Sequence, residues 1–404
     1  MIHTKLAPDS VVARFIIGMI STTGILYAWV TPLIVSALEQ SPSFSAEAAG
    51  YVFSANMYGT AIGGFLVIAV ARTLPWRPSC MLLVLGIASL DFTSIWVQDP
   101  AFLAMARFGH GLMGGMLLGF GAVVTTRAGR PERTISIALG LQTLLGGAML
   151  VGLAPLIDTF GAYPVWVCMI TVAVITLMGI PFLSDYPDPM TSEKTVNFGL
   201  SQAPMRISLL IILALFVYQA AQMAPYVYIF ELGQSYALSD SFLGWANGIA
   251  IWTGGAAALF TAYWSTRSGY VLPMIAGGLL SALSVALLAY PSELTYFVAC
   301  VGFTFFFTIT IVYMLALFSV LDDTGRFATV GSFISTLGLA SGPLLAATLL
   351  TIGYDYVNLA LFGALGMTLA CGVVVSPGRY VERYEQSQVE DGSGVEISQQ
   401  RQPT

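Results

Sequence analysis

Val12 to Leu38 reads V-A-R-F-I-I-G-M-I-S-T-T-G-I-L-Y-A-W-V-T-P-L-I-V-S-A-L, with Arg14 near its start as the only charge. As a helix, a run of about 20 apolar residues crosses the roughly 30 Å of hydrocarbon in a bilayer. This run is longer than the apolar part of a cleavable leader, about 7–15 residues, and no small-residue cleavage site follows it. It is therefore read as a membrane span that stays in the protein. Runs of the same kind recur as far as residue 376, so the reading of this one carries most of the chain with it.

Composition agrees. Of 404 residues, 57% are hydrophobic and 9% charged, with a mean hydropathy of +0.82. A soluble domain carries about 25% charged residues and cannot hide so much apolar surface. A transmembrane barrel would show segments of about ten alternating residues, which the sequence lacks. The four cysteines, Cys80, Cys168, Cys300 and Cys371, all fall inside apolar runs, where cysteine acts as a small hydrophobe. They form no disulfide framework or metal-ligand spacing.

Twelve spans are predicted, at 12–38, 48–70, 78–97, 100–125, 134–157, 164–183, 207–231, 242–265, 270–290, 294–320, 328–351 and 355–376. Turn formers punctuate them, such as Gln98-Asp99-Pro100 and Tyr290-Pro291-Ser292. The organisation expected is a first six-helix bundle at 1–183, a central loop at 184–205, a second bundle at 206–377 and a disordered tail at 378–404. Lys and Arg accumulate on cytoplasmic loops. Lys5, Arg14, Arg72, Arg77, Arg127, Arg130, Arg133, Lys194, Arg206, Arg267, Arg326, Arg379, Arg383 and Arg401 all fall on one side of this arrangement. That is fourteen of the fifteen basic residues, so both termini and the central loop are expected in the cytoplasm.

The two halves also echo each other. Pro32 and Pro225 are 193 residues apart, as are Gly109 and Gly302, Arg133 and Arg326, and Gln142-Thr143 and Ser335-Thr336. Such a constant offset points to an internal repeat.

These features together resemble the major facilitator superfamily. Arg107-Phe-Gly-His110-Gly111 with Gly114-Gly115 is similar to that family's R-x-x-Q-G motif, with His in place of Gln. The loop after span two keeps Arg72 and Arg77 of the G-x-x-x-D-R-x-G-R-R motif but has Ala71 where the acid is expected. Ser341-Gly342-Pro343 is similar to the family's antiporter Gly-Pro motif. The resemblance implies an all-α membrane protein with two pseudo-symmetric six-helix bundles. It also implies a solute site near the midplane between them, lined by spans one, four, seven and ten. Tyr27-Ala-Trp-Val-Thr-Pro32 and Ser54-Ala-Asn56 resemble the bacterial branch of sugar and drug efflux carriers, which implies a bacterial inner membrane.

Arg107 is the one basic side chain inside the hydrocarbon, about seven residues or 10 Å from the outer end of span four. A charge at that depth is costly unless it is paired or faces water. Asp91 precedes the turn at Asp99 by eight residues and Arg107 follows it by eight, so the two share a depth. Either they form a permanent ion pair, or Arg107 faces the cavity and draws an anionic group. His110, one turn deeper, is a proton relay or a packed neutral imidazole. In span seven, Tyr218, Gln222 and Tyr226 recur every fourth residue, with Gln219 beside them, and suit a cavity lining. Glu231 is read as an interfacial carboxylate in water or as a part of the site. Tyr27, Gln142, Thr22, Thr23, Thr143, Asn247, Thr308 and Tyr313 are secondary candidates.

No nucleophile–base pair, phosphate loop or ATP-binding domain is present, so the chain reads as a transporter and not an enzyme, with no cofactor or nucleic-acid partner. The partners expected are a small anionic or amphipathic solute, protons and membrane lipid, with the chain acting as a monomer. A transporter-like sensor or assembly protein is the alternative.

Overall fold

The computed structural model describes residues 5–71, 73–127, 131–186, 203–265, 267–321 and 326–390. Arg72, Arg130, Lys194, Arg401 and most of the expected central loop lie outside them. The first half contains α1 (Val11–Trp29), α2 (Thr31–Glu39), α3 (Ala46–Val70), α4 (Trp76–Ser94), α5 (Pro100–Thr126) and α6 (Pro131–Leu153). A 3-10 turn at Ala154–Leu156 leads to α7 (Ile157–Phe160) and α8 (Tyr163–Gly179). The second half contains α9 (Met205–Val227), α10 (Ile229–Ser235), α11 (Asp240–Trp264), α12 (Val271–Leu287), α13 (Glu293–Val320), α14 (Arg326–Thr351) and α15 (Tyr356–Glu390).

Among the described residues, nine helices are long and apolar enough to cross a membrane, including Val11–Trp29 and Met205–Val227. The short helices α2 and α10 stand beyond the ends of those two. Large apolar side chains such as Leu82, Leu259 and Met178 are 71%, 76% and 68% exposed. A water-soluble protein does not tolerate so broad an apolar exterior. Lipid does. The chain is an integral membrane protein.

Most predicted spans match a helix to within a few residues, with two kinds of departure. Spans one and seven are each broken. The helix stops at Val30 (φ −105, ψ 14) and at Tyr228 (φ −105, ψ 22), and a short second helix continues. Pro32 and Pro225 flank these breaks: each lacks an N–H, and each excludes the carbonyl four residues before it from the regular ladder.

The other departure is the tail. Helix α15 runs through Pro377 to Glu390, so 378–390 is helical where disorder was expected. Glu382 Oε1 accepts from the backbone N–H of Tyr270 (2.8 Å) and Val271 (2.9 Å), at the start of α12. Tyr270 Oη donates to Glu385 (2.9 Å). The tail's polar composition is a capping surface.

Helix starts echo the repeat. Asp99 caps α5 by accepting from Phe102 N, and Ser292, 193 residues on, caps α13 by accepting from Thr295 N. Ser45 and Ser239 do the same for α3 and α11.

Helices α3 and α5 meet through glycines. A Cβ at Gly59 or Gly63 would lie 2.2 or 2.0 Å from a carbonyl oxygen of α5. One at Gly111 or Gly115 would lie 1.9 or 2.1 Å from a carbonyl oxygen of α3. Each helix thus presents a small-x-x-x-small pair to the other, the arrangement that lets membrane helices touch backbone to backbone. The halves meet along α3 with α14 and α6 with α11. One end of the molecule carries Lys5, Arg77, Arg127, Arg206, Arg267 and Arg379, and is called the basic end below. The other is the distal end.

Candidate functional site

Arg107 and Asp91 are both fully buried and joined, Nη1 to Oδ1 at 2.7 Å. The hairpin of α4 and α5 delivers the matched depth that the spacing implies. Arg107 Nη2 donates to the Leu90 carbonyl (3.1 Å) and to Ser94 Oγ, so its fork grips one turn of α4. Its other faces are aromatic: the guanidinium carbon lies 4.6 Å from the Trp166 ring centre and 5.4 Å from that of Tyr27. Such stacking is one reason Arg tolerates burial where Lys would not.

His110 adjoins the pair, with Nε2 3.4 Å from Asp91 Oδ1. Asn56 settles its tautomer. The Asn56 amide nitrogen donates to the Arg107 carbonyl (3.0 Å), so the same nitrogen, 2.9 Å from His110 Nδ1, donates there too. His110 therefore carries its proton on Nε2, toward Asp91. The group holds one cation, one anion and one neutral imidazole. It is balanced as it stands.

This group lies inside the first half, and Arg107 points toward α4. Of the two sequence readings, the geometry is that of the buried ion pair, and no exposed face of Arg107 is left for a cavity. Tyr27 joins the group, between Phe53 at 5.9 Å and Trp166 at 6.4 Å. Above it, a recess of about 320 Å³ opens at the distal end, and Ser94, Trp166 and Asp158 are among its walls.

The residues of α9 form a second group. Tyr218 is fully buried and stacks on Phe307 of α13 at 6.0 Å. Gln219 donates to Ser335 of α14, and Gln222 donates to Gln219 (3.4 Å). Tyr226 is half-buried against Phe303 at 6.1 Å. The stripe faces protein and not lipid, but its members turn to different helices of the second half. Among the described residues, no hydrogen bond or ring contact ties it to Arg107 or His110. Gln142 is buried on α6 and joins neither group.

Several secondary candidates spend their polar atoms locally. Thr22, Thr143 and Thr308 donate to carbonyls one turn back, at 2.8, 3.0 and 2.8 Å, the usual habit of membrane hydroxyls. Thr23 does the same and also meets Thr176 (2.9 Å). Asn247 bridges the Leu243 carbonyl and Tyr296 Oη (2.9 and 3.0 Å). Tyr313 donates to the Ser265 carbonyl.

Glu231 departs most from expectation. The interfacial reading fails, because the side chain is 4% exposed and neither carboxylate oxygen has a hydrogen-bond partner. It lies where the halves touch. Tyr356 donates to Glu39 (2.7 Å), Tyr228 to the Ala46 carbonyl (2.9 Å) and Gln234 to Ser36 (3.1 Å). These bonds between halves all gather at the distal end. Nearer the middle, Tyr58 meets Ser341 (3.0 Å).

The sequence profile described as Major Facilitator Superfamily matches residues 210–401. Two crystal structures of the nucleoside transporter NupG, one of them a point variant, share the fold. The variant superposes with a TM-score of 0.68 at 12% identity, over 91% of this chain and 98% of its own. The other gives 0.67 at 12% identity, over 92% and 98%. The second half of the chain thus matches the Major Facilitator Superfamily profile, and the whole chain shares the fold of these transporter structures. No curated protein matches its sequence. Arg107, which the sequence reading set at a motif position, spends its charge on Asp91.

Proposed function

We propose that the protein is a secondary transporter that moves a small organic solute, anionic or amphipathic, across a bacterial inner membrane by alternating access, with proton coupling. It has twelve spans in two six-helix units, 1–183 and 206–377, joined by a cytoplasmic loop, and works as a monomer. The basic end faces the cytoplasm, since basic loops stay on that side. The observation that carries this reading is where the halves bond. Among the described residues, Tyr356–Glu39, Tyr228–Ala46 and Gln234–Ser36 bond the halves at the distal end and Tyr58–Ser341 near the middle, the contacts that a carrier shut at its distal end would make. The solved neighbours are nucleoside transporters, but a likeness at 12% identity carries the fold and not the nucleoside. Arg107 is committed to Asp91, so the solute site is proposed among Gln219, Gln222 and Tyr226 with Gln142, and the Arg107–Asp91–His110 group holds the first half in shape.

The test is a reversible lock. Ser36→Cys with Gln234→Cys replaces a bonded pair that joins the halves. Solutes that raise the thermal stability of the purified protein are then supplied to proteoliposomes. Oxidation should stop their flux and reduction should restore it. Unchanged flux at full cross-linking refutes alternating access here, and absence of flux for every stabilising solute favours a sensor.

A further inference from the structure

The distal end carries eight carboxylates, Glu39, Glu47, Asp99, Asp158, Glu231, Asp240, Glu293 and Asp355, and no Lys, Arg or His among the described residues. Seven keep some contact with water. Glu231 does not: it is 4% exposed, with both oxygens unpartnered, at the junction of the two halves. Helix α10, which bears it, packs against α2, α9, α11 and α15. The titratable groups that bear on it are Glu39 of α2, Tyr228 beside α9, Asp240 of α11, Tyr356 of α15 and, through α13, Tyr296. None is a cation.

Most donors in this junction are spent elsewhere, and the Ser36 hydroxyl bears on Glu231 only weakly, short of a full hydrogen bond. Tyr356 serves Glu39 Oε1, Tyr228 the Ala46 carbonyl and Tyr296 the Ile229 carbonyl (2.9 Å). Gln234 Nε2 serves Ser36 and Asp240 Oδ1 (2.9 Å). Oxygens of Glu39 and Asp240 are left unpartnered as well. A carboxylate so placed loses its hydration and regains little of it. A metal ion needs converging ligands, and no group of three or more ligating side chains is assembled among the described residues. A proton needs only one oxygen. It removes the charge and supplies the missing donor.

We propose that Glu231, with Glu39 facing it from the other half, is a proton-binding site whose occupancy closes the distal end. This rests on the transporter reading and names the groups through which protons act on it. Glu39 lies seven residues after Pro32 and Glu231 six after Pro225, so the two repeats contribute one acid each. In the closed form Glu231 is withdrawn from water and Glu39 is half-buried against the Tyr356 hydroxyl, with no cation beside either among the described residues. Opening returns them to water and to ordinary carboxylate behaviour. Closure therefore takes up a proton. The closed state is favoured in acid and is lost as pH rises through the window in which the acids give up their protons. Within that window the closed-to-open ratio falls about tenfold per pH unit for each proton bound.

The experiment uses the full chain in lipid nanodiscs, with spin labels at Ser43→Cys and Leu294→Cys in a Cys168→Ala background. Electron–electron distance distributions are recorded from about pH 5 to about pH 9, spanning the expected titration. In the parent protein, the short-distance population should dominate in acid and give way to a longer one as pH rises. Glu231→Gln, which mimics the protonated acid, should hold the short distance throughout. Glu39→Gln should shift the midpoint and shallow the transition. A parent protein that switches with pH, but whose Glu231→Gln variant switches identically, overturns the proton site alone. A parent with one distance at every pH, with or without a stabilising solute, overturns alternating access as well.

Discussion

Asp91→Asn keeps the shape of the side chain and removes the negative charge paired with Arg107. The guanidinium would keep the Leu90 carbonyl at 3.1 Å, Ser94 and two aromatic faces at 4.6 and 5.4 Å. Those contacts exist already and offer no new compensation. Breaking one side of a fully buried ion pair costs about 3–5 kcal/mol. His110 would also lose the carboxylate that its Nε2 proton faces, so a loss near 4 kcal/mol is expected, within that range. Removing both charges is a different matter. Asp91→Leu with Arg107→Leu leaves no stranded ion, and replacing a buried pair by apolar side chains is often neutral or better. Reversible unfolding of the purified protein in detergent, across the four members of the cycle, measures each step. A single-variant loss below about 1 kcal/mol, the level of an exposed pair, refutes the reasoning. So does a double variant worse than the sum of the singles. A double variant that folds but has lost flux adds a transport role to the structural one.

Gly111→Ala should be damaging, because its Cβ would meet a backbone oxygen of α3 at 1.9 Å, with an overpacking cost of about 1–3 kcal/mol. Gly109→Ala, whose nearest neighbour is Leu90 at an ordinary 3.6 Å, should be harmless in the same unfolding assay, and equal losses would refute the glycine seam. Glu382→Ala should remove the cap of α12 and cost about 1 kcal/mol, as helix caps do. Glu382→Gln should recover much of it, and truncation before Glu382 without loss would return the tail to its expected disorder. Asp185 is held below its ordinary 3.8 by hydrogen bonding to Lys5 and by the charge of Arg77. Its contribution is thus present above that value and lost as pH falls below it, through the lowered one. Because the carboxylate is exposed, Asp185→Asn should alter stability at neutral pH only in low salt. An effect that persists in molar salt contradicts that.

Hydropathy spoke for the fold because a bilayer imposes length and polarity on each segment separately. Arg107 and Asp91 could be paired from their equal distances to Asp99, since a tight hairpin leaves little freedom in depth. Depth alone does not tell which way a helix is turned, and so Ser94 and Trp166 went unread beside Arg107. Asn56 was noticed only for its neighbours in sequence, while its role comes from facing α5 across the glycine seam. Glu231 was misplaced for a longer-range reason: α2 and α15 cover it, and neither is near it in sequence. The tail's disorder was inferred from polarity, which cannot distinguish a solvated chain from a helix whose acids cap another helix.

The glycine seam has a mechanical consequence. Side chains that interdigitate leave slack, because rotamers yield before backbones do. Where α3 and α5 touch through carbonyl oxygens and α-carbons, little can yield, and the two helices turn as one piece. One of them rests on α14 and receives the Tyr228 hydroxyl at its first residue. The other carries Arg107 and His110. A tilt of the second half against α3 would therefore be passed on to the buried imidazole, which Asn56 of α3 already holds.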